Sequence, residues 1–329
     1  MSYAHYIKEL GRGAEGARDL SRDEACQLYS AMLDGGVPDL ELGALTVALR
    51  LKGEALDEML GFMDAVDVRT VHLDLPHGRV RPVVLPTYNG ARKEANLTPL
   101  LAILLQRFGV PVLVHGLLEG LGRVSTAQIF RELGIMPAAT SDQVQQALES
   151  SGLAFAPLNS LSPGIHNLLA LRARMGVRNC GHSLVKMLDP FHGGGVLMAA
   201  ATHPEFIELM RGMLLARGGR AILLRATEGE PFANPKRRPR LEYVHDGIST
   251  LLFEAEHDSL RGIPHLPEAT DAVTTARWIR KVLDKQLPLP KPIANQVACC
   301  LYASGYAEDL NQAKAIVAVE AASPASLAA

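Results

Sequence analysis

The sequence predicts an α/β protein in which a small, all-helical N-terminal domain precedes a larger domain with a mostly parallel central sheet. The first 72 residues carry only helical periodicity and helix-capping signals. From Arg81 onward, short β-rich runs alternate with helical segments, a pattern typical of βαβ units. The chain has 329 residues, roughly twice the length of a typical domain, so two domains fit its length.

Helices are predicted in the N-terminal part from their start and stop signals. Ser21 and Glu24 form a capping box before residues 25–33, and two glycines end that helix. Further helices are expected over residues 3–10, 39–53 and 54–68. A mainly helical insertion is expected between Pro163 and Pro190, with helices over 166–175 and 179–188.

The larger domain shows alternating strands and helices. Strands are predicted over residues 83–85, 110–114, 195–201 and 221–225, with helices over 98–108 and 126–133 and another beginning at Pro204. A hairpin-like region over 241–253 precedes helices over 269–283, 293–303 and 307–321. Residues 323–329 are expected to be disordered.

Several classes of protein are excluded by composition and spacing. The longest apolar runs fall far short of the ~18 residues that a membrane span needs, so none is predicted. The charged start of the chain lacks the apolar stretch of a secretory signal, and a cytoplasmic location is expected. The four cysteines show no CxxC spacing, which favours free, mostly buried thiols. The histidines have no ligand spacing, so no metal site is predicted.

The charges are unevenly distributed along the chain. Residues 1–72 hold seven Lys/Arg against thirteen Asp/Glu, whereas residues 211–240 hold eight Lys/Arg against two Glu. Such an asymmetry on a chain of formal net charge −2 is typical of a face that binds a polyanion.

The loop formed by residues 86–93 follows a predicted strand and leads toward a helix near Thr98. In a parallel sheet this loop lies at the carboxyl edge, where backbone N–H groups can meet an anion. Since Gly90 is its single glycine, the loop is either a weak phosphate cradle or a plain connection from strand to helix.

Several segments resemble anthranilate phosphoribosyltransferase and its nucleoside-phosphorylase relatives, and together they cover about residues 1–303. They are PTYNGARKEANLTPLLA, VHG, RVSTAQIFRELGI, FAPLNS, LRARMGVRN and THPEFIELM. The resemblance implies a fold of this phosphoribosyltransferase type, in which the helical insertion packs on the N-terminal helices. It gives a helical domain of residues 1–72 with 164–188 and an α/β domain of 73–163 with 189–329. The family's active site lies in the cleft between the two domains.

The chain differs from this family in the motifs that bind the substrate and the metal ion. Its diphosphate loop, residues 86–92, lacks most of the family's glycines, and the family's K-H-G-N-R motif has lost both cations, with Val114 and Leu118 in their places. No adjacent acidic pair for magnesium stands in residues 227–231. No catalytic residue, metal site or cofactor is therefore assigned, with Mg²⁺ expected only in an active transferase. What the resemblance leaves is a vestigial phosphate site of Thr87, Asn89, Gly90, Asn96, Thr98, His115 and Gly116.

These departures resemble the YbiB-like branch of the family, to which YNGARK, RMGVRN, TEGE and ANP before basic residues are specific. Membership implies a homodimer that has lost the biosynthetic activity and binds nucleic acid without sequence preference. The charges support this interpretation, because phosphates bind Lys and Arg. The residues expected to contact nucleic acid are Arg92, Lys93, Arg123, Arg172, Arg174, Arg178, Lys186, Lys236, Arg237, Arg238 and Arg240.

Two alternatives stay open from the sequence. One is an active phosphoribosyltransferase that uses phosphoribosyl diphosphate and an unidentified acceptor. The other is a regulatory protein that binds a small phosphorylated ligand. A preference for DNA or RNA does not follow from the sequence.

Overall fold

The computed structural model describes residues 2–257 and 266–321, and the chain divides into two compact units. The first unit comprises residues 1–72 with 158–190, and the second comprises 73–157 with 191–329. The insertion thus begins at Leu158 rather than at 164 and ends at Pro190 rather than at 188. The reason for the earlier start is that a short helix over Leu158–Leu161 belongs to the first unit, where Val71 N–H donates to the carbonyl of Leu161 over 2.8 Å. The expected tail at 323–329 lies outside the described residues.

Fourteen helices and seven strands are present in the described residues. The strands are β1 (Val83–Thr87), β2 (Val112–Gly116), β3 (Leu153–Pro157), β4 (Val196–Ala201), β5 (Arg220–Arg225), β6 (Leu241–His245) and β7 (Ile248–Phe253). The helices are α1 (Ala4–Leu10), α2 (Arg22–Leu33), α3 (Asp39–Lys52), α4 (Leu56–Asp67), α5 (Thr98–Arg107), α6 (Thr126–Glu132), α7 (Ser141–Ser151), α8 (Leu158–Leu161), α9 (Pro163–Met175), α10 (Gly181–Leu184), α11 (Pro204–Arg217), α12 (Ala272–Leu283), α13 (Lys291–Ala303) and α14 (Leu310–Ala321).

The first unit is a bundle of α1–α4 and α8–α10. The predicted capping box is present, since the Ser21 hydroxyl accepts from Glu24 N–H while the Glu24 carboxylate accepts from Ser21 N–H. In the core, Tyr29 stacks on Phe62 with ring centroids 4.7 Å apart. The helix expected over 179–188 is wrong in length: α10 has four residues, and a single 3₁₀ turn follows it.

The second unit is built on one seven-stranded sheet with the order β3-β2-β1-β4-β5-β6-β7. Strands β1–β5 are parallel, and the hairpin of β6 and β7 adds two antiparallel strands at one edge. Helix α7 and strand β3 are absent from the sequence prediction. Helix α7 has good end signals, because Thr140 caps it and Gly152 ends it with a φ of +73°, but it buries only Val144 and Leu148, so few apolar residues mark it in the sequence.

The strand order reverses beside β1, which pairs with β2 on one side and β4 on the other. In open parallel sheets a ligand binds beyond the carboxyl ends of the strands at such a reversal. The loop that leaves β1 therefore starts at the place where a ligand site is expected. Within the described parts of the chain no helix has the length and apolar character needed to cross a membrane.

Candidate anion site and basic patch

The loop after β1 surrounds a carboxylate that the chain itself supplies. The backbone N–H groups of Asn89 and Gly90 both donate to Glu230 Oε1 over 2.8 Å. The Thr87 hydroxyl makes a very short hydrogen bond to Glu230 Oε2. The Glu230 side chain has no exposed surface, so this carboxylate is completely buried.

The second oxygen of Glu230 meets three more polar side chains. Its Oε2 lies 3.4 Å from Asn96 Nδ2 and from the Thr126 hydroxyl, and 3.5 Å from the Thr98 hydroxyl. Five residues of the expected vestigial phosphate site thus meet at Glu230, and we call this donor set the first cradle: Thr87, Asn89, Gly90, Asn96 and Thr98. Thr126 was missed by the sequence analysis, although it opens α6 at the edge of the same sheet.

A second cradle holds the carboxylate of Glu228. The N–H groups of Lys93 and Glu94 donate to Glu228 Oε1 over 2.6 and 2.7 Å, and Arg92 N–H lies 3.3 Å from both oxygens. The Arg123 guanidinium adds an ion pair of 3.3 Å. Three successive backbone N–H groups that face one anion form a nest of the kind that binds phosphate in other proteins.

A tight turn over residues 227–230 aims both glutamates at the loop, and we call it the carboxylate turn. Thr227 and Glu230 form an isolated antiparallel bridge, and the two residues between them have φ of +55° at Glu228 and +92° at Gly229. A Cβ atom at Gly229 would lie 1.4 Å from Asn89 Nδ2, which donates to the Glu228 carbonyl over 3.1 Å. Only glycine fits there in both conformation and space.

His115 and Gly116, the remaining residues of the expected phosphate site, lie at the end of β2, and in the described part of the chain neither makes a hydrogen bond to Glu230. His115 Nδ1 lies 2.5 Å from the Tyr88 hydroxyl, and both residues are buried. Burial raises the pKa of Tyr88 well above its ordinary value, so this phenol donates. A Cβ atom at Gly116 would lie 1.9 Å from the Thr87 carbonyl, which explains the glycine.

The carboxylates of this region do not fit a magnesium site. Those of Glu228 and Glu230 accept from N–H and hydroxyl donors, an environment made for anions and not for a cation. No group of three or more His, Cys, Asp or Glu residues suited to a metal occurs in residues 2–257 and 266–321.

Three basic segments meet beside the second cradle. Arg92 and Lys93 are exposed on the loop after β1, and Arg123 comes from the loop after β2 and pairs with Glu228. Lys236 Nζ lies 2.8 Å from Glu94 Oε1, which brings the residue 236–240 cluster to the same loop. We call this surface the basic patch, and it consists of Arg92, Lys93, Arg123, Lys236 and Arg237.

The 236–240 cluster divides into free and engaged cations. Arg237 is exposed, and in the described residues its side chain makes no hydrogen bond or ion pair. Arg238 lies over the Phe253 ring at 5.1 Å and pairs with Glu256 at 3.3 Å. Arg240 donates to Glu242 over 2.7 Å. Arg238 and Arg240 therefore fasten the β6–β7 hairpin, a role that the sequence pattern did not show.

The other four expected cations lie in the first unit, on α9 and the segment after it. Arg174 pairs with Asp39 at 3.1 Å, and the carbonyl of Arg178 accepts from Arg50. His182 lies among Arg172, Arg178 and Lys186. Burial lowers the pKa of His182 to about 3, and the charge of Arg178 adds to this effect.

Comparison with known proteins shows the family to which the chain belongs. Residues 4–67 match the helical bundle domain of a glycosyl transferase family. The uncharacterized protein YbiB of Escherichia coli is 45% identical over 318 residues, which cover 96% of this chain and 99% of YbiB. The chain belongs to the anthranilate phosphoribosyltransferase-like family, in its YbiB branch. Within the wider family, the anthranilate phosphoribosyltransferase of Methanopyrus kandleri is 26% identical over 291 residues, 85% of this chain and 84% of that enzyme.

Solved structures of family members share the fold. Anthranilate phosphoribosyltransferase from Thermus thermophilus superposes with a TM-score of 0.76 at 22% sequence identity. The match covers 98% of this chain and 96% of the enzyme chain. The enzyme of Saccharomyces cerevisiae, in complex with PRPP and Mg, superposes with a TM-score of 0.72 at 14% sequence identity. The match covers 99% of this chain and 94% of the yeast chain. These matches confirm the predicted fold class of helical domain and mostly parallel α/β domain.

Proposed function

We propose that this member of the YbiB branch binds the phosphate backbone of nucleic acid without sequence preference and does not catalyse phosphoribosyl transfer. The observation that carries the proposal is the basic patch, in which three separate segments place five cations around one loop. Cytoplasmic DNA or RNA is the expected partner.

Backbone binding follows from the side chains that the patch offers. Arginine and lysine neutralise phosphates, whereas base recognition needs amide groups or aromatic surfaces. Tyr88, the aromatic residue of the adjoining loop, is buried against His115 and offers no ring for stacking. Affinity should therefore depend on salt and hardly on sequence.

Loss of transfer activity follows from the carboxylate turn. Glu230 fills the first cradle and engages its N–H and hydroxyl donors, which a diphosphate would otherwise need. The alternative is an active transferase that takes PRPP with Mg, the pair that the yeast enzyme binds in its complex. That function requires Glu230 to leave six donors and a cation site to form where the carboxylates now face N–H groups.

The test of nucleic-acid binding is fluorescence anisotropy with labelled single- and double-stranded oligonucleotides of several sequences. We compare the wild type with a variant in which Arg92, Lys93, Lys236 and Arg237 are all alanine. A matched control removes four exposed cations elsewhere in the second unit: Arg79, Arg131, Arg277 and Lys281. The patch variant should lose affinity for all sequences, and its slope of log affinity against log salt should flatten by about 3, at ~0.7–0.9 per phosphate. Equal behaviour of the two variants would refute the proposal.

We also propose that the chain forms a symmetric homodimer, as the resemblance implies. The first unit exposes large apolar side chains, with Leu40 at 83%, Leu51 at 67% and Val68 at 83% of their surface. Apolar surface of this kind suits contact with a second copy. Sedimentation velocity should give a dimer at micromolar concentration, and a monomer there would contradict this.

A further inference from the structure

A cavity of about 150 Å³ lies within the second unit, between α5, α12, α13, α14 and the loop that joins α12 to α13. Apolar side chains form most of its wall, among them Leu104, Phe108, Leu287, Leu289, Val297 and Val317. An apolar cavity of this size takes up a molecule as large as benzene in other proteins. The cavity is therefore large enough for a small organic ligand.

The cavity is separate from both cradles. Helix α5 begins at Thr98, in the first cradle, and ends at Arg107, on the rim of the cavity. Its ten residues span about 15 Å. Because α5 connects the parallel strands β1 and β2, its last residue lies near the amino edge of the sheet, whereas the cradles lie at the carboxyl edge. A ligand in the cavity would not touch the loop after β1.

The loop after α12 is fixed in place at the rim of the cavity. Lys285 N–H donates to the Val282 carbonyl over 3.0 Å, and Gln286 N–H donates to the Lys281 carbonyl over 2.8 Å. These two bonds form a Schellman motif, in which the residue just past the helix has a positive φ and is usually glycine. Here that residue is Lys285, with a φ of +58°. A lysine in this strained conformation points to a function for its side chain.

Three charged side chains line the cavity: Arg107, Lys285 and Glu320. Arg107 Nη1 donates to the Leu283 carbonyl over 2.7 Å, and in the described residues its other N–H groups make no hydrogen bond. Lys285 Nζ lies 3.3 Å from Glu320 Oε1, and both side chains are exposed. Since two cations accompany one carboxylate, the rim keeps an excess positive charge, which attracts an anion.

We propose that this cavity binds a small aliphatic carboxylic acid as its anion. The hydrocarbon chain lies among the apolar side chains, and the carboxylate lies at Arg107 and Lys285. A guanidinium suits this role because it binds a carboxylate through two parallel N–H bonds. The volume suits a chain of about five or six carbon atoms. Glu320 competes with the ligand for Lys285. The inference does not depend on nucleic-acid binding.

The test is a titration of the full-length protein, ¹³C-labelled at its Leu and Val methyl groups, with hexanoate at constant ionic strength. The methyl NMR signals of Leu104, Leu287 and Val317 should shift saturably, while those of Leu28 and Val37 in the first unit stay unchanged. 1-Hexanol, which has the same chain without the charge, should bind about tenfold more weakly. No saturable shift at the cavity methyls, or equal binding of hexanoate and 1-hexanol, would overturn the inference.

Exposed positions allow the charges to be changed without disturbing the core. Arg107→Gln should weaken hexanoate binding about tenfold and leave 1-hexanol binding unchanged. Arg131→Gln, at an exposed arginine in the last turn of α6, is the matched control and should change neither. Glu320→Gln should strengthen hexanoate binding about two- to fivefold, because it frees Lys285. A hexanoate affinity that is unchanged in Arg107→Gln or in Glu320→Gln would overturn the placement of the carboxylate.

Discussion

Lys236 Nζ lies 2.8 Å from Glu94 Oε1, and this ion pair joins two segments that are 142 residues apart in the chain. Both side chains are partly exposed, so the pair contributes at most about 1 kcal/mol to stability. Its effect is on position: it keeps the Lys236 charge beside Arg92 and Lys93. It also neutralises part of the charge that a phosphate would meet.

Replacing the acidic partner should strengthen nucleic-acid binding. In Glu94→Gln the Lys236 ammonium is released, so affinity should rise about two- to fivefold and the salt dependence should steepen by up to ~0.9 in slope. The anisotropy assay measures both. Glu149→Gln, at an exposed glutamate of α7, serves as the control and should change neither quantity. An unchanged affinity in Glu94→Gln would show that the pair does not limit binding.

Neighbouring arginines should respond in opposite ways to truncation. Arg237→Ala should weaken binding about three- to tenfold with an unchanged melting temperature, because its side chain is exposed and makes no contact in the described residues. Arg238→Ala should lower stability by about 1–2 kcal/mol, since it loses Phe253, Glu256 and the Glu254 carbonyl. Thermal melts and anisotropy on both variants separate the two roles. Equal melting temperatures would contradict this division.

Gly229→Ala should destabilise the protein by about 2–3 kcal/mol. The new methyl group would displace the Asn89 side chain, which loses its hydrogen bond to Glu228, and alanine is strained at a φ of +92°. Gly122→Ala is the matched control, because that glycine has a φ of +67° but open space around it, and should cost only about 1 kcal/mol. Urea unfolding gives both values. Equal costs would mean that the contact with Asn89 carries no energy.

The free energy of unfolding should decrease as the pH is lowered from about 6.5 to about 3, because of His182. Its pKa is about 3 in the folded chain and about 6.5 in the unfolded chain, so between these values the unfolded state binds more protons. The free energy of unfolding therefore decreases as the pH falls through this window, by up to about 1.4 kcal/mol per unit. His182→Asn should flatten the dependence measured by urea unfolding at pH 7 and 4.5. His77→Asn, at an exposed histidine, should not.

The chain should show no anthranilate phosphoribosyltransferase turnover. Glu230 fills the first cradle, and the carboxylates present do not fit a magnesium site. Anthranilate fluorescence, followed with phosphoribosyl diphosphate and Mg²⁺, should stay constant with this protein and fall with the Thermus thermophilus enzyme as positive control. Consumption of anthranilate that scales with the concentration of this protein would disprove the expectation.

The sequence predicted those parts of the fold that have local signals. The capping box at Ser21, the proline at the start of α11 and the alternation that gives β1, β2, β4 and β5 all depend on near neighbours. Strand β3 was missed because a five-residue apolar run does not distinguish strand from helix. Helix α10 was overestimated, because the side-chain carbonyl oxygen of Asn179 accepts from Gly181 N–H and replaces a helical bond.

The candidate site was predicted by its donors but not by its occupant. The resemblance drew attention to Thr87, Asn89 and Thr98, which do line one cradle. That Glu230 fills it depends on a contact across 141 residues and on the φ of Glu228, and neither has a local signal. Likewise, a run of basic letters does not reveal that Arg240 pairs with Glu242 of β6, or that Arg238 pairs with Glu256 just after β7.

The carboxylate turn can also serve as a mark for sorting sequences. Its geometry admits only glycine at position 229 and needs a carboxylate on each side of it. The arrangement can therefore be recognised from the sequence motif Thr-Glu-Gly-Glu. A related chain with these letters after its fifth strand should carry filled cradles, whereas a chain with an adjacent acidic pair should leave them open. Chains of this fold can thus be divided before any of them is purified.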